Sequence, residues 1–97
     1  MMTILVQFTL RHTSENTAEI IRFFNEILPD TRTFDGNISA ELYKKDRVDN
    51  ALNLFEQWES PAHFDKYIGW RKSIGDFDRL GAMLTDAPVI TVMSKEV

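Results

Sequence analysis

Residues 55–64 read FEQWESPAHF, and they mark the point where a strand gives way to a helix. Upstream, in ALNLFEQWE, Leu52, Leu54 and Trp58 fall on one face and Ala51, Phe55 and Gln57 on the other. Apolar groups on both sides predict a strand covered on both faces. Glu56 shares the Trp58 face, where an unpaired carboxylate is costly; a partner in Arg71 or His63, or a place at a rim, is expected. Ser60-Pro61 then starts a helix, because serine caps free N–H groups and proline at the first helical position loses nothing by lacking one. The helix runs to about Ser73. Gly75 can end it in a left-handed conformation, with Asp76 capping a short further turn carrying Phe77, Leu80 and Leu84.

Working outward, TILVQFTL alternates strictly: Ile4, Val6, Phe8 and Leu10 oppose Thr3, Leu5, Gln7 and Thr9, the period of a strand. From Ala18 the period becomes helical, with Ile20 or Ile21, Phe24, Ile27 and Leu28 in one stripe, Thr13 or Ser14 as N-cap and Pro29 as the stop. DTRTFDG is a connection ending in an Asp-Gly turn. NISAELYKK alternates again, Ile38, Ala40 and Leu42 against Ser39, Glu41 and Tyr43, before the charged turn KDRVDN. After Pro88, VITVM is a β-branched last strand. Strand, helix, strand, strand, helix, strand is the order of a ferredoxin-like α+β sandwich, four antiparallel strands with both helices on one face. Leu5, Phe55, Ile90 and Val92 are expected on the opposite face. Such an apolar patch predicts a homodimer paired sheet to sheet.

The 97 residues form one domain, 1–97, without repeats or low-complexity linkers. Eleven basic against fifteen acidic side chains give a net charge of −4 with no basic stripe, which argues against nucleic acid as a partner. The absence of cysteine excludes disulfides, thiolate metal sites and cysteine nucleophiles. His12 and His63 are far apart and not spaced as ligands, so no metal is expected. MMTILVQFTLRH is not built as a signal peptide and no apolar run is long enough to span a bilayer, so a cytoplasmic location and no membrane partner are expected.

ILPDTRTFDGN, ISAELYK and above all FEQWESPAHF, with Glu56, Trp58 and Ser60 in an E-x-W-x-S pattern, resemble the antibiotic biosynthesis monooxygenase domain family, including its quinol monooxygenase branch. The similarity runs from TILVQF to APVITV. It implies a dimeric α+β barrel with a pocket in each subunit between sheet and helices. For active members it implies oxygenation of polycyclic phenols, anthrones or quinols without flavin, haem or metal, the deprotonated substrate itself reducing dioxygen. The sequence departs from some active members at Leu54 and Phe64, where those carry asparagine and tyrosine. The region around Asp76 and Phe77 has no histidine of the kind that haem-degrading relatives use as iron ligand.

Such chemistry needs an apolar cavity, a base and fixed donors for an anion. At 100° per residue His63, Tyr67, Trp70 and Ile74 share an arc on the second helix, extended by Phe64, Ile68 and Arg71. The expected site therefore has His63 as base or proton shuttle, Arg71 as anion stabiliser, and Trp58, Phe64, Tyr67 and Trp70 as walls for a small aromatic substrate. Each has a plainer reading: a hydrogen-bonded helix-start histidine, an arginine paired with a carboxylate, an aromatic core stripe. Gln7 and Asn53 are further mid-strand donors. The expected function is a cofactor-independent monooxygenase of a quinol-, anthrone- or polyketide-type aromatic. The alternatives are a non-enzymatic dimeric binding or stress-related module, and an isomerase or decarboxylase using the same base and arginine.

Overall fold

The structure, a computed structural model, describes residues 3–48 and 50–97. Met1 and Met2, at the start of the expected domain, and Asp49, in the expected turn KDRVDN, lie outside the described residues. The elements are β1 (Ile4–Arg11), α1 (Thr17–Thr33), β2 (Asn37–Lys44), β3 (Ala51–Trp58), α2 (Pro61–Ser73), α3 (Asp76–Gly81) and β4 (Val89–Ser94). The strands pair antiparallel in the order β2-β3-β1-β4, the ferredoxin-like arrangement. Among the described residues no helix is long and apolar enough to cross a membrane.

The buried faces follow from periodicity. Ile4, Val6, Phe8 and Leu10 on β1 and Leu52, Leu54, Glu56 and Trp58 on β3 point at the helices. On α1 the buried positions are Ile20, Phe23, Phe24, Ile27, Leu28 and Thr31, the i, i+3, i+4, i+7 spacing of one helical face. Phe23 joins the stripe expected from Ile20, Phe24, Ile27 and Leu28.

Several local expectations are corrected. Pro29 does not stop α1, which continues to Thr33 with Pro29 inside it. An interior proline removes one helical hydrogen bond and crowds the carbonyl four residues back, but the last turn is held by tertiary bonds: Thr31 Oγ1 meets the Tyr67 hydroxyl at 2.7 Å, and Arg32 donates twice to the Ala40 carbonyl. The cap expected at Thr13 or Ser14 is also displaced, since a short 3₁₀ turn at Ser14–Asn16 precedes the helix and Asn16 is its N-cap residue. Ile38 leaves the alternation of β2: Asn37 pairs with Trp58 and Ser39 with Gln57, so Ile38 is the extra residue of a β-bulge and is exposed.

The apolar residues Ile90 and Val92 of β4 take the face opposite to the one expected for them. Ile90 sits opposite Phe8 and Val92 opposite Val6, and directly opposed residues share a face, so both belong to the helix side rather than the outer face. They remain 39% and 52% exposed because this edge strand lies beyond the reach of the helices. Leu5 and Phe55 are on the outer face as expected, with Tyr43 packed edge-on to Phe55.

The corner that starts α2 forms as its sequence demands. Ser60 is extended, its hydroxyl accepts from the His63 backbone N–H, and Pro61 opens the helix. Gly36, at φ +86°, completes the turn into β2; any Cβ there would also overlap the His63 ring, which packs against it. Gly75, at the same φ, separates α2 from α3.

Candidate functional site

The site is assembled where β1 and β3, α1, α2 and α3 converge. Phe8, Phe23, Phe24, Ile27, Leu54, Ile68, Phe77 and Leu80 give it apolar walls, and Glu56, Tyr67, Arg71 and Asp76 supply its polar groups. It is a narrow cavity, about 30 Å³ open to a water-sized sphere.

Glu56 reaches it because strand alternation puts position 56 inward between Leu54 and Trp58, beside Val6 of β1 and Ala40 of β2. The side chain is 1% exposed. Trp58 Nε1–H donates to Oε1 at 3.1 Å, the carboxyl's single hydrogen bond among the described residues. Burial raises its pKa from 4.5 to about 7; the Trp58 hydrogen bond and the positive charge of Arg71 pull the other way without offsetting it. The partner of Glu56 is thus Trp58, not a direct contact with Arg71 or His63.

Arg71 is committed elsewhere. Its Nε donates to the Tyr67 hydroxyl at 2.9 Å, Nη1 to Asp76 Oδ2 at 2.8 Å, and Nη2 to the Ile27 carbonyl at 2.8 Å and Thr31 Oγ1 at 3.0 Å. The guanidinium has five N–H donors, so these four bonds leave one. Burial opposes its charge, but the bonds to Tyr67 and Asp76 outweigh that and hold its pKa above the usual value. Tyr67 is pushed up by burial and by the Glu56 charge, so the phenol stays protonated. Asp76 also accepts from Arg79 at 3.4 Å, which occupies its second oxygen.

Of the residues expected at the site, Tyr67 and Arg71 line the cavity. Trp58 and Phe64 stand behind its wall, Trp58 tilted against Tyr67 with centroids 4.8 Å apart and Phe64 edge-on to Phe8. Trp70 lies on the far side of Arg71, its ring 4.5 Å from the guanidinium carbon and stacked on Phe34. His63 does not line the cavity. Its Nδ1 is 2.6 Å from Ser60 Oγ, and its Nε2 faces the exposed Asp35 and Glu59 at 3.8 and 4.0 Å. The inward stripe of α2 is Phe64, Tyr67 and Arg71, rotated by about one position from the arc centred on His63, Tyr67, Trp70 and Ile74. Gln7 and Asn53 bond each other on the outer sheet face. His12 is buried between the Leu10 carbonyl and Thr17.

Sequence reasoning placed Glu56 on the correct face but did not assign it the cavity. The available signal was an acidic residue between Leu54 and Trp58 on a core face. Asp76, read as a cap, is instead a buried ion-pair partner, with Gly75 in the N-cap position.

Comparison with known proteins gives a consistent picture. A model of the family described as antibiotic biosynthesis monooxygenase matches residues 3–73. No curated protein sequence matches the chain. Among solved structures, a conserved protein from Methanosarcina mazei Go1 has a TM-score of 0.90 at 20% identity, over 99% of this chain and 95% of that one. Rv0793 from Mycobacterium tuberculosis has a TM-score of 0.87 at 21% identity, over 98% and 96% of the two chains. A monooxygenase from the ActVA-Orf6 gene of Streptomyces coelicolor, in complex with the ligand Nanaomycin D, has a TM-score of 0.82 at 17% identity, over 99% and 89%. At these identities the structures share the fold.

Proposed function

Because the chain belongs to the antibiotic biosynthesis monooxygenase family, its model matching residues 3–73, we propose that it is a cofactor-independent monooxygenase of the quinol branch. In this reading it oxidises a quinol-, anthrone- or polyketide-type aromatic with dioxygen. The observation that carries the proposal is the cavity between sheet and helices, walled by aromatic rings and holding a carboxyl with one uncommitted oxygen. A Streptomyces coelicolor monooxygenase of the same fold, crystallised with Nanaomycin D, supports a small-molecule substrate. Arg71 contributes positive charge to an anion formed in the cavity, Tyr67 forms part of the wall, and Trp58 and Phe64 back it. Trp70 holds the guanidinium from behind. Proton handling is not routed through His63, which lies outside the lining.

A cavity that binds a single benzene ring is on the order of 150 Å³, so a ring must displace part of the lining. The half-buried Ile68 and Phe77 on α2 and α3 are the side chains best able to move. That requirement also favours a second reading, a binding module that opens around an apolar metabolite without turning it over. Oxygen consumption with a panel of reduced quinols and anthrones separates the two. Substrate-dependent uptake without added flavin, haem or metal is expected; binding of these compounds with no uptake would remove the oxygenase and leave the binding module.

We also propose a homodimer. Leu5, Phe55 and Tyr43 lie on the uncovered outer face, and β4 exposes Val89 and Met93 on that face as well as Ile90 and Val92 on the other. An edge strand this apolar is a pairing surface. Sedimentation equilibrium should return twice the 11.3 kDa chain mass. A monomer at micromolar concentration would sink the proposal.

A further inference from the structure

A carboxyl on the core face of a central strand needs a physical reason. Glu56 lies between the fully buried Val6 and Ala40 across the sheet. The buried charge network closes without it, since Arg71 is neutralised by Asp76. Replacing a buried ionisable side chain by a well-packed apolar one of similar size is often neutral or stabilising. The buried ion pair of Arg71 and Asp76 therefore does not require Glu56.

Among the four polar groups of the cavity, Asp76 has both oxygens engaged by Arg71 and Arg79. The Tyr67 hydroxyl is tied to Thr31 and Arg71. Arg71 carries four bonds to protein groups. Glu56 alone has an oxygen, Oε2, with no protein partner among the described residues. β1 and α1 bring only apolar groups to the lining, namely Phe8, Phe23, Phe24 and Ile27.

We propose that Glu56 is the general base of the cavity: Oε2 takes the proton of a bound phenolic hydroxyl while Trp58 Nε1–H holds Oε1. The substrate O–H bond breaks, a carboxyl O–H bond forms, and the electron pair stays on the substrate oxygen as a phenolate. This deepens the oxygenase reading and rests on it for the subsequent transfer of electrons from that phenolate to dioxygen. A carboxyl poised near pH 7 is suited to both halves of the proton's journey, because it accepts and releases at nearly equal cost. Trp58 is a positioning residue here. Its indole fixes the carboxyl plane and favours the ionised form, drawing the group back toward the range where it can act as a base.

The test uses 4-nitrophenol, whose phenolate is coloured and which does not need to be oxidised to report. Mixed with wild-type protein slightly below the probe's own pKa, it should show phenolate absorbance above that of free probe, and Glu56→Gln should lose the excess. Trp58→Phe should move the midpoint of the signal to higher pH, which a merely structural role for the indole would not do. Carboxyl carbon NMR of the wild type supplies a check that needs no variant: one glutamate should titrate near pH 7 and respond to the probe. Absence of excess phenolate with wild type, or an equal excess with Glu56→Gln, overturns the proposal. Excess phenolate without oxygen uptake on any quinol retains Glu56 and rejects the oxygenase. Oxygen uptake unchanged in Glu56→Gln retains the oxygenase and rejects Glu56, whereas loss of a general base should cost about 100-fold or more.

Discussion

Replacing Arg71 by methionine is expected to destabilise the protein by about 3–5 kcal/mol, the cost of breaking one side of a buried ion pair. The guanidinium joins three helices: the Ile27 carbonyl and Thr31 on α1, Tyr67 on its own α2, and Asp76 on α3. Methionine keeps much of the stem but loses the guanidinium that lies over the Trp70 ring, and it leaves Asp76 buried with Arg79, at 3.4 Å, as its only cation among the described residues. Tyr67 and Thr31 still bond each other, so the deficit is concentrated on the carboxylate. Removing the carboxylate as well, in Arg71→Met with Asp76→Leu, should recover much of the loss, because a pair removed together leaves no buried unpaired charge. Urea denaturation of both variants measures it. A loss under about 1 kcal/mol in the single variant, against the roughly 3–5 kcal/mol expected, would mean that the network is solvated rather than buried. Activity lost on changing Arg71 therefore needs a stability control before it is assigned to chemistry.

Glu56→Gln should alter the pH dependence of stability nearly as strongly. Between pH 4.5 and about 7 the folded protein keeps a proton on Glu56 that the unfolded chain has released. Stability contributed by this group is thus full below the unfolded value, falls as pH rises through the window, and levels off above the folded value. The shift corresponds to on the order of 3 kcal/mol at about 1.36 kcal/mol per pH unit. Glutamine keeps the shape and the oxygen that accepts from Trp58 but has nothing to ionise. Relative to wild type the variant should gain that amount between acidic and mildly alkaline pH, and the difference curve should bend between 4.5 and about 7. Parallel curves for the two proteins would show that the carboxyl is hydrated and titrates normally.

Much of the architecture was legible because its causes are local. Strict alternation in β1 and β3 assigns faces residue by residue, and the Ser60-Pro61 pair and the left-handed glycines at 36 and 75 specify where elements begin and end. Glu56 was legible as an inward residue for the same reason. The differences arise where distant segments compete with local preference. Pro29 ends helices in isolation, yet bonds from Tyr67, Arg71 and Ala40 hold the turn beyond it. Ile38 would be inward by counting, and a single bulged residue turns it out. A rotation of about one helical position separates His63 from the inward stripe and brings Arg71 fully inside. The packing of α2 against α1 and the sheet sets that rotation, and spacing along α2 does not contain it.

The sequence by itself determined the element order, the faces of β1 and β3 and the corner at FEQWESPAHF, because each depends on neighbours a few residues away. Only the tertiary structure decided that Arg71 is a three-helix tether, that His63 stands outside the cavity and that Glu56 lies within it, titrating near neutrality. Those properties are sums over groups far apart in the chain. Desolvation by five elements outweighs one indole hydrogen bond and one arginine charge, and no local pattern carries that balance.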